Sequence, residues 1–236
     1  MKISFASYFY NVEDTIINML HSVSKYVDEF CLLDMHSTDK TTDVLYKFIK
    51  NQPELKIKLE HYGRKLDSFC DARNQVVSMC KGDWILTLDG DETLNIKEAD
   101  KMLFTMIAKK NVDIWMLPRN NWIKNTNDQI GLIPGTYPDW QPRLYRNHKD
   151  IYWIHHAHEN IEGSKLKENA RNGPHIEHFH YTRHTAESEY EHNEAHLRIC
   201  RKHPESLKRM KELIGEKGYE IRGFKALEQE LNNESA

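Results

Sequence analysis

The sequence predicts an α/β fold with a mostly parallel central sheet, helices on both faces and a ligand crevice at the carboxyl ends of the strands. Strand and helix signals alternate over about the first hundred residues. The strand runs are nearly continuous in apolar residues, as expected of strands covered on both faces. Asn11, Asp34, Asp89 and Asp91 all fall where such runs end.

The elements can be justified in order. Lys2 to Tyr10 reads as a strand, and Asn11 can cap a helix in which Val12, Ile16, Ile17, Leu20 and Val23 form one stripe. Phe30 to Leu33 is a buried strand ending at Asp34. Ser37, Thr38 and Asp39 then offer caps for a helix with Val44, Leu45, Phe48 and Ile49 inward. Leu55 to Leu59 is a third strand. Ser68 with Asp71 resembles a capping box, opening a helix whose Phe69, Ala72, Val76, Val77 and Cys80 point inward. Trp84 to Leu88 is the fourth strand. After Lys101 the alternation weakens. A helix to Lys110 precedes a strand from Val112 to Leu117, and the polar stretch from Arg119 to Tyr137 reads as a mobile lid or acceptor loop. Gln141 to Tyr145, Ile151 to Ile154 and His175 to Tyr181 read as short strands. From Thr185 the chain is charged and helical, with an apolar stripe of Leu207, Met210, Leu213 and Ile214. That tail either packs on its own domain or touches a membrane or partner.

The segment Trp84-Ile85-Leu86-Thr87-Leu88-Asp89-Gly90-Asp91-Glu92 carries the most chemistry, because an apolar strand ends in three carboxylates. Gly90 permits a sharp turn. Hard carboxylate oxygens suit Mg²⁺ or Mn²⁺, and such ions suit phosphate oxygens. The plain alternative is an acidic surface turn. No Gly-x-Gly-x-x-Gly and no Gly-x-x-x-x-Gly-Lys-Ser/Thr is present, so a dinucleotide dehydrogenase or P-loop NTPase is excluded, and phosphate must be held by a metal and side chains.

Composition narrows the class. At 236 residues the chain holds one large domain, or a domain with a helical appendage. With 39% hydrophobic residues, 29% charged and a formal charge of -3, it lacks the basic footprint of a nucleic-acid binder. The N-terminus is apolar too briefly for a signal or membrane span, so a cytoplasmic protein is expected, with peripheral contact at the inner face of a membrane as a variant. Cys31, Cys70, Cys80 and Cys200 form no Cys-x-x-Cys pair and read as reduced thiols. Most of the 14 histidines lie after residue 147. That invites a zinc reading, but no His-Glu-x-x-His exists, and His192 and His196 sit among glutamates on what reads as a solvated face.

Several blocks together resemble the family 2 glycosyltransferases of the GT-A (nucleotide-diphospho-sugar transferase) fold. They are Asn11-x-Glu13, Ser22-Val23 with Val27-Asp28-Glu29, Asp34-x-x-Ser37-Thr38-Asp39-x-Thr41, Ala72-Arg73-Asn74, Gly82-Asp83-Trp84 and Asp89-Gly90-Asp91-Glu92. Pro142-Arg143-Leu144-Tyr145-Arg146-Asn147, His158-Glu159 and Ile176-x-His178-x-x-Tyr181 are similar to later blocks of the small bacterial branch that includes lipopolysaccharide-core and capsule glucosyltransferases.

The resemblance implies a catalytic domain over 1–184, with a nucleotide-binding half over 1–95 and an acceptor half over 96–184, followed by a helical appendage over 185–236. It implies a UDP-sugar donor, a glycan or glycolipid acceptor, and Mn²⁺ or Mg²⁺. Asp34 would accept from the uracil ring, Asn11 and Glu13 would flank base or ribose, and Arg73 would neutralise the diphosphate. Asp89 would serve the ribose or a metal-bound water, and Asp91 the metal, with His178 completing its shell and His180 as the alternative. Glu159 would be the base of an inverting displacement, with Asp139 and Glu92 in reserve. Sugar-selecting contacts fall in loops around Trp122, Trp140 and Trp153. A nucleotidyltransferase would need a glycine-rich basic loop after the first strand, which is missing. A silent carbohydrate- or partner-binding domain would lack the carboxylates or Arg73, which are present.

Overall fold

The computed structural model describes residues 1–63, 67–95, 99–124, 130–183, 195–203 and 205–206. Its first half follows the alternation: β1 (Ile3–Phe9), α1 (Ile16–Val23), β2 (Glu29–Asp34), α2 (Thr41–Asn51), β3 (Ile57–His61), α3 (Phe69–Ser78) and β4 (Trp84–Thr87). These strands lie in the order β3-β2-β1-β4 and are parallel throughout. The second half comprises β5 (Glu92–Asn95), α4 (Ala99–Ala108), β6 (Ile114–Lys124), β7 (Ile130–Leu132), β8 (Asp139–Arg146), β9 (Tyr152–Ile154), β10 (Asn160–Glu162), β11 (Lys167–Asn169), β12 (His175–His178) and α5 (His180–Arg183). The sheet continues from β4 as β8-β6-β12-β5, with β7 and β11 also on β6, while β9 and β10 form a separate hairpin. Here the directions are mixed. β8 runs antiparallel to β4 and β6, β12 parallel to β6, and β5 antiparallel to β12.

Side-chain alternation along the strands builds a core on each face. Ile3, Phe5 and Phe9 of β1, with Phe30, Leu32, Trp84 and Leu86, pack on one side with Ile16, Met19 and Leu20 of α1, Leu45 and Phe48 of α2, and Leu103, Met106 and Ile107 of α4. Ala6, Cys31, Leu33 and Ile85 face the other way, toward Cys70, Ala72 and Val76 of α3 and toward Trp153 and Ile161 of the hairpin. Helices therefore cover both faces, as the near-continuous apolar strands imply. The four cysteines are free thiols.

Several local readings are corrected. Asn11 does not cap α1. It has φ 51°, and α1 starts later, at Ile16. The Asn11 side chain instead accepts from Thr38 N at 2.8 Å, so it ties the loop after β1 to the loop after β2. None of the three expected residues is the cap of α2, which is Lys40; Asp39 precedes it, its Oδ1 accepting from Thr41 N at 2.9 Å. Ser68 caps α3 as expected, accepting from Asp71 N at 3.1 Å. Of the stretch read as a lid, residues 119–124 and 130–132 are strand. β6 runs on to Lys124, and Trp122 pairs across from Leu132 of β7. Its Asn-rich sequence hides a strand because Asn120 and Asn121, on opposite faces, bond Glu177 and His178, so both faces are polar and the apolar alternation is lost. Trp122, Trp140 and Trp153 accordingly lie on strands β6, β8 and β9.

Of the helical appendage, the described part is helical at residues 195–202 and 205–206. Leu197, Ile199 and Cys200 are buried, and the His196 ring lies 4.8 Å from that of Phe69, so this part packs on α3. The stripe from Leu207 to Ile214, and His184 and His192, lie outside the described residues. Among the described residues no helix is long and apolar enough to cross a membrane.

Candidate active site

Register alone brings the predicted residues to one edge. Phe9 pairs with Asp34 across β1 and β2, and Ala6 pairs with Thr87 across β1 and β4, so Asn11, Asp34 and Asp89 emerge side by side. After the acidic turn the chain reverses into β5, where Glu92 pairs with His178 of β12, and His178 in turn pairs with Asn121 of β6. The turn is tight for a different reason from the one anticipated. Gly90 takes no left-handed conformation; a Cβ there would meet Val12 Cγ1 at 2.8 Å and Phe9 Cβ at 3.0 Å, so glycine lets the turn lie against the end of β1.

On the base side, Asp34 is buried. Its Oδ1 accepts from Ser37 N at 3.0 Å and Ser37 Oγ at 2.6 Å, and its Oδ2 lies 3.0 Å from His61 Nδ1. Glu13 accepts from Lys40 N at 2.6 Å. Asn11 and Glu13 thus hold the 37–41 loop beside Asp34.

Beneath the edge lies a chain of alternating charges that local sequence reading did not assemble. Arg73 sits between the Tyr8 and Trp153 rings, at 4.8 and 4.4 Å from their centroids. It donates to Asp89 at 3.0 Å, Glu159 at 3.3 Å and Thr87 at 3.4 Å. Arg143 bonds Asp89 and both oxygens of Glu92. Arg119 joins Glu92 at 3.0 Å to Asp139 at 2.7 Å. Burial works against charge on all three arginines, yet their carboxylate neighbours raise each above the usual arginine value. Burial alone would push Asp89 up, but Arg143 and Arg73 hold it at about 2. Asp139, which burial alone would also push up, is lowered by Arg119 and its hydrogen bonds.

This arrangement removes both reserve bases. Glu92 is completely buried between two arginines, and Asp139 is engaged by Arg119, Asn121 and Gln141. Glu159 differs. Its Oε1 accepts from Tyr8 at 2.8 Å and from Arg73, while its Oε2 carries no hydrogen bond among the described residues. Burial, then Glu159 itself, pushes the Tyr8 phenol well up, so it remains a donor that orients the carboxylate. Arg73 is 4% exposed and directed at protein groups, which places it as the support of Asp89 and Glu159.

Asp91 faces histidines. His180 Nδ1 lies 3.4 Å from Asp91 Oδ2, and His178 Nε2 lies 3.8 Å from Oδ1. One ligand atom from each of the three residues lies within 4.8 Å of the others, so the two histidines held as alternatives occur together. Asn121 orients one of them. Its amide nitrogen donates to Asp139 Oδ2 at 3.3 Å, which turns Oδ1 toward His178 Nδ1 at 2.7 Å. That nitrogen must then be the donor, leaving Nε2 as the acceptor turned to Asp91. Burial lowers the His178 pKa, which favours the neutral, ligating form. Two imidazoles with one carboxylate fit Mn²⁺ better than Mg²⁺.

Comparison with known proteins decides the family. Residues 4–166 match the model of glycosyl transferase family 2. The chain belongs to that family. This family 2 chain is 33% identical over 147 residues to a TPR repeat-containing protein of Synechococcus elongatus, covering 62% of this chain and 32% of that protein. It is 31% identical over 126 residues to an uncharacterized glycosyltransferase of Rickettsia bellii, covering 53% and 36%. The chain thus spans about a third of the length of each of these relatives. Its fold is the GT-A fold, shared with residues 1–349 of S. aureus TarS, solved in complex with UDP-GlcNAc. The TM-score is 0.55 at 18% identity, over 85% of this chain and 66% of that one.

Arg119, Arg143, Tyr8 and Asn121 escaped the sequence reading as site residues. A signal existed for Arg143, an arginine among Leu144 and Tyr145 in a strand, where only a buried ion pair makes it tolerable.

Proposed function

We propose that this chain is a metal-dependent inverting glycosyltransferase that moves a hexose, glucose first among the candidates, from a UDP-sugar to a hydroxyl of a glycan, glycolipid or other acceptor, with polysaccharide biosynthesis as its setting. It would work in the cytoplasm or at the inner face of a membrane. The observation that carries the proposal is that a ligand cluster, Asp91, His178 and His180, lies two positions from Asp89, which shares Arg73 with the carboxylate of Glu159 in the loop between β9 and β10. The uridine donor is favoured by the fold shared with TarS, whose structure holds UDP-GlcNAc.

Asp91, His178 and His180 would hold Mn²⁺, with Mg²⁺ the weaker candidate. Once bound, the ion stabilises the charge that gathers on the departing diphosphate. Asp34 would accept from the uracil, with Asn11 and Glu13 holding the neighbouring loop, and Asp89 would meet the ribose while Arg73 and Arg143 fix its direction. Glu159 Oε2 would take the proton from the acceptor hydroxyl. The acceptor oxygen then bonds to the anomeric carbon from the face opposite the leaving group, the bond to phosphate oxygen breaks, and UDP departs with configuration inverted.

The test is UDP release from UDP-hexoses with Mn²⁺. Glu159→Gln is expected to keep donor binding and lose about 10² to 10⁴ in turnover. Asp91→Ala is expected to abolish the metal-dependent thermal shift with UDP. Near-normal turnover in Glu159→Gln would remove that base. No nucleotide-dependent shift in the wild type would instead favour a non-catalytic carbohydrate- or partner-binding domain.

A further inference from the structure

A second group of metal-ligating side chains lies away from the Asp91 cluster, where the C-terminal segment meets the catalytic domain. His156 belongs to the loop between β9 and β10, three positions before Glu159, whereas His203 and Glu205 follow the helical residues 195–202. His156 Nε2 lies 3.4 Å from Glu205 Oε1, and His203 Nδ1 lies 3.6 Å from the same oxygen. One ligand atom from each of the three lies within 4.8 Å of the others.

The surroundings of His156 allow an ion on its Nε2 side. Its Nδ1 is 2.8 Å from Ser68 Oγ, the hydroxyl that caps α3 by accepting from Asp71 N. Ser68 Oγ is also 3.3 Å from Cys70 Sγ. When the hydroxyl donates to that sulfur, it accepts from His156 Nδ1–H, and the ring's lone pair is left on Nε2, facing Glu205 and His203. This is the outer-shell hydrogen bond that metal-bound histidines commonly make. Cys70, Asp71 and His156 form another three-residue group on the Nδ1 side, but Ser68 already fills that direction. The His156 and His203 rings are stacked with centroids 3.6 Å apart. Coordination requires His203, a quarter exposed, to rotate out of the stack.

We propose that His156, His203 and Glu205 bind a divalent transition-metal ion of the zinc class, two imidazoles and a carboxylate being a set that leaves a fourth position for water. Such an ion cross-links the segment after β12 to the loop that carries Glu159. The ion would tie these two segments together independently of the donor-site metal.

The experiment is a zinc titration of the full chain in the Asp91→Ala background, which disables the donor-site cluster, read by calorimetry and by thermal unfolding, with Co²⁺ absorption as a report on geometry. One equivalent of zinc bound, a higher unfolding temperature and Co²⁺ bands of a four-coordinate site are expected. Adding His203→Ala should abolish all three signals, and adding Glu205→Gln should weaken them. Both residues are partly or largely exposed, so their variants should fold, which the metal-free unfolding temperature checks. Absence of zinc binding in Asp91→Ala, or binding unaffected by His203→Ala, overturns the proposal.

Discussion

Arg143 spans Asp89 and Glu92, Arg119 spans Glu92 and Asp139, and Arg73 spans Asp89 and Glu159. No single pair explains why Asp89 and Glu159 keep their directions; the shared arginines do. Glu92 is the critical link because it is completely buried and serves two guanidinium groups. Removing one partner of a buried pair leaves uncompensated charge, so Glu92→Ala should cost about 3–5 kcal/mol, read by urea unfolding. A loss comparable to that of a surface substitution would mean the arginines find other partners. Asn121 acts at longer reach, through the His178 tautomer. Asn121→Ala should weaken Mn²⁺ binding in the presence of UDP by about 10- to 100-fold, the usual outer-shell effect. The readout is a metal titration, and an unchanged affinity would show that Asn121 does not orient the ligand.

Among the elements, the acidic turn depends on how closely it lies on β1. Gly90→Ala puts a methyl group 2.8 Å from Val12 Cγ1, so the turn must lift away from the strand end. Overpacking of this kind costs about 1–3 kcal/mol, and here it should also impair metal-dependent UDP binding, since Asp89 and Asp91 flank the glycine. Calorimetric unfolding and UDP titration check the two effects separately; a variant stable and binding as wild type would contradict the close approach. The same turn separates what local pattern reveals from what it hides. Before it, β1 to β4 are apolar runs alternating with helices that bury one face, so their order and the polar residues at their ends could be read directly. After it, β5 is four residues of mixed polarity, and β6 carries Arg119, Asn120 and Asn121, polar on both faces, and so reads as a loop. Asp91 and His178 could be named as candidates because their motifs are local. The arginines were not, because Arg143 is buried only by virtue of partners more than fifty positions away, and no periodicity records such a pairing.

For the whole molecule, the charge network makes stability depend on acid. Asp139 is strongly shielded from water and its pKa is held below the ordinary carboxylate value, with burial opposing and Arg119 and hydrogen bonds from Asn121 and Gln141 prevailing. The unfolded chain therefore binds the proton more readily than the folded one. The contribution of this carboxylate is fully present above its unfolded value of about 3.9 and is lost as pH falls through the lower folded value. Asp139→Asn removes that proton-linked step while keeping the shape of the side chain. The variant should be less stable than wild type at neutral pH, because Arg119 loses half of its support, and the gap should narrow as both are acidified below about pH 4. Urea unfolding at a series of pH values measures this. A gap that stays constant down the acid limb would show that the folded and unfolded chains hold the Asp139 proton equally. The link from Arg119 to Asp139 would then be geometric, acting through Asn121 on His178, and its loss would appear in metal affinity and not in acid stability.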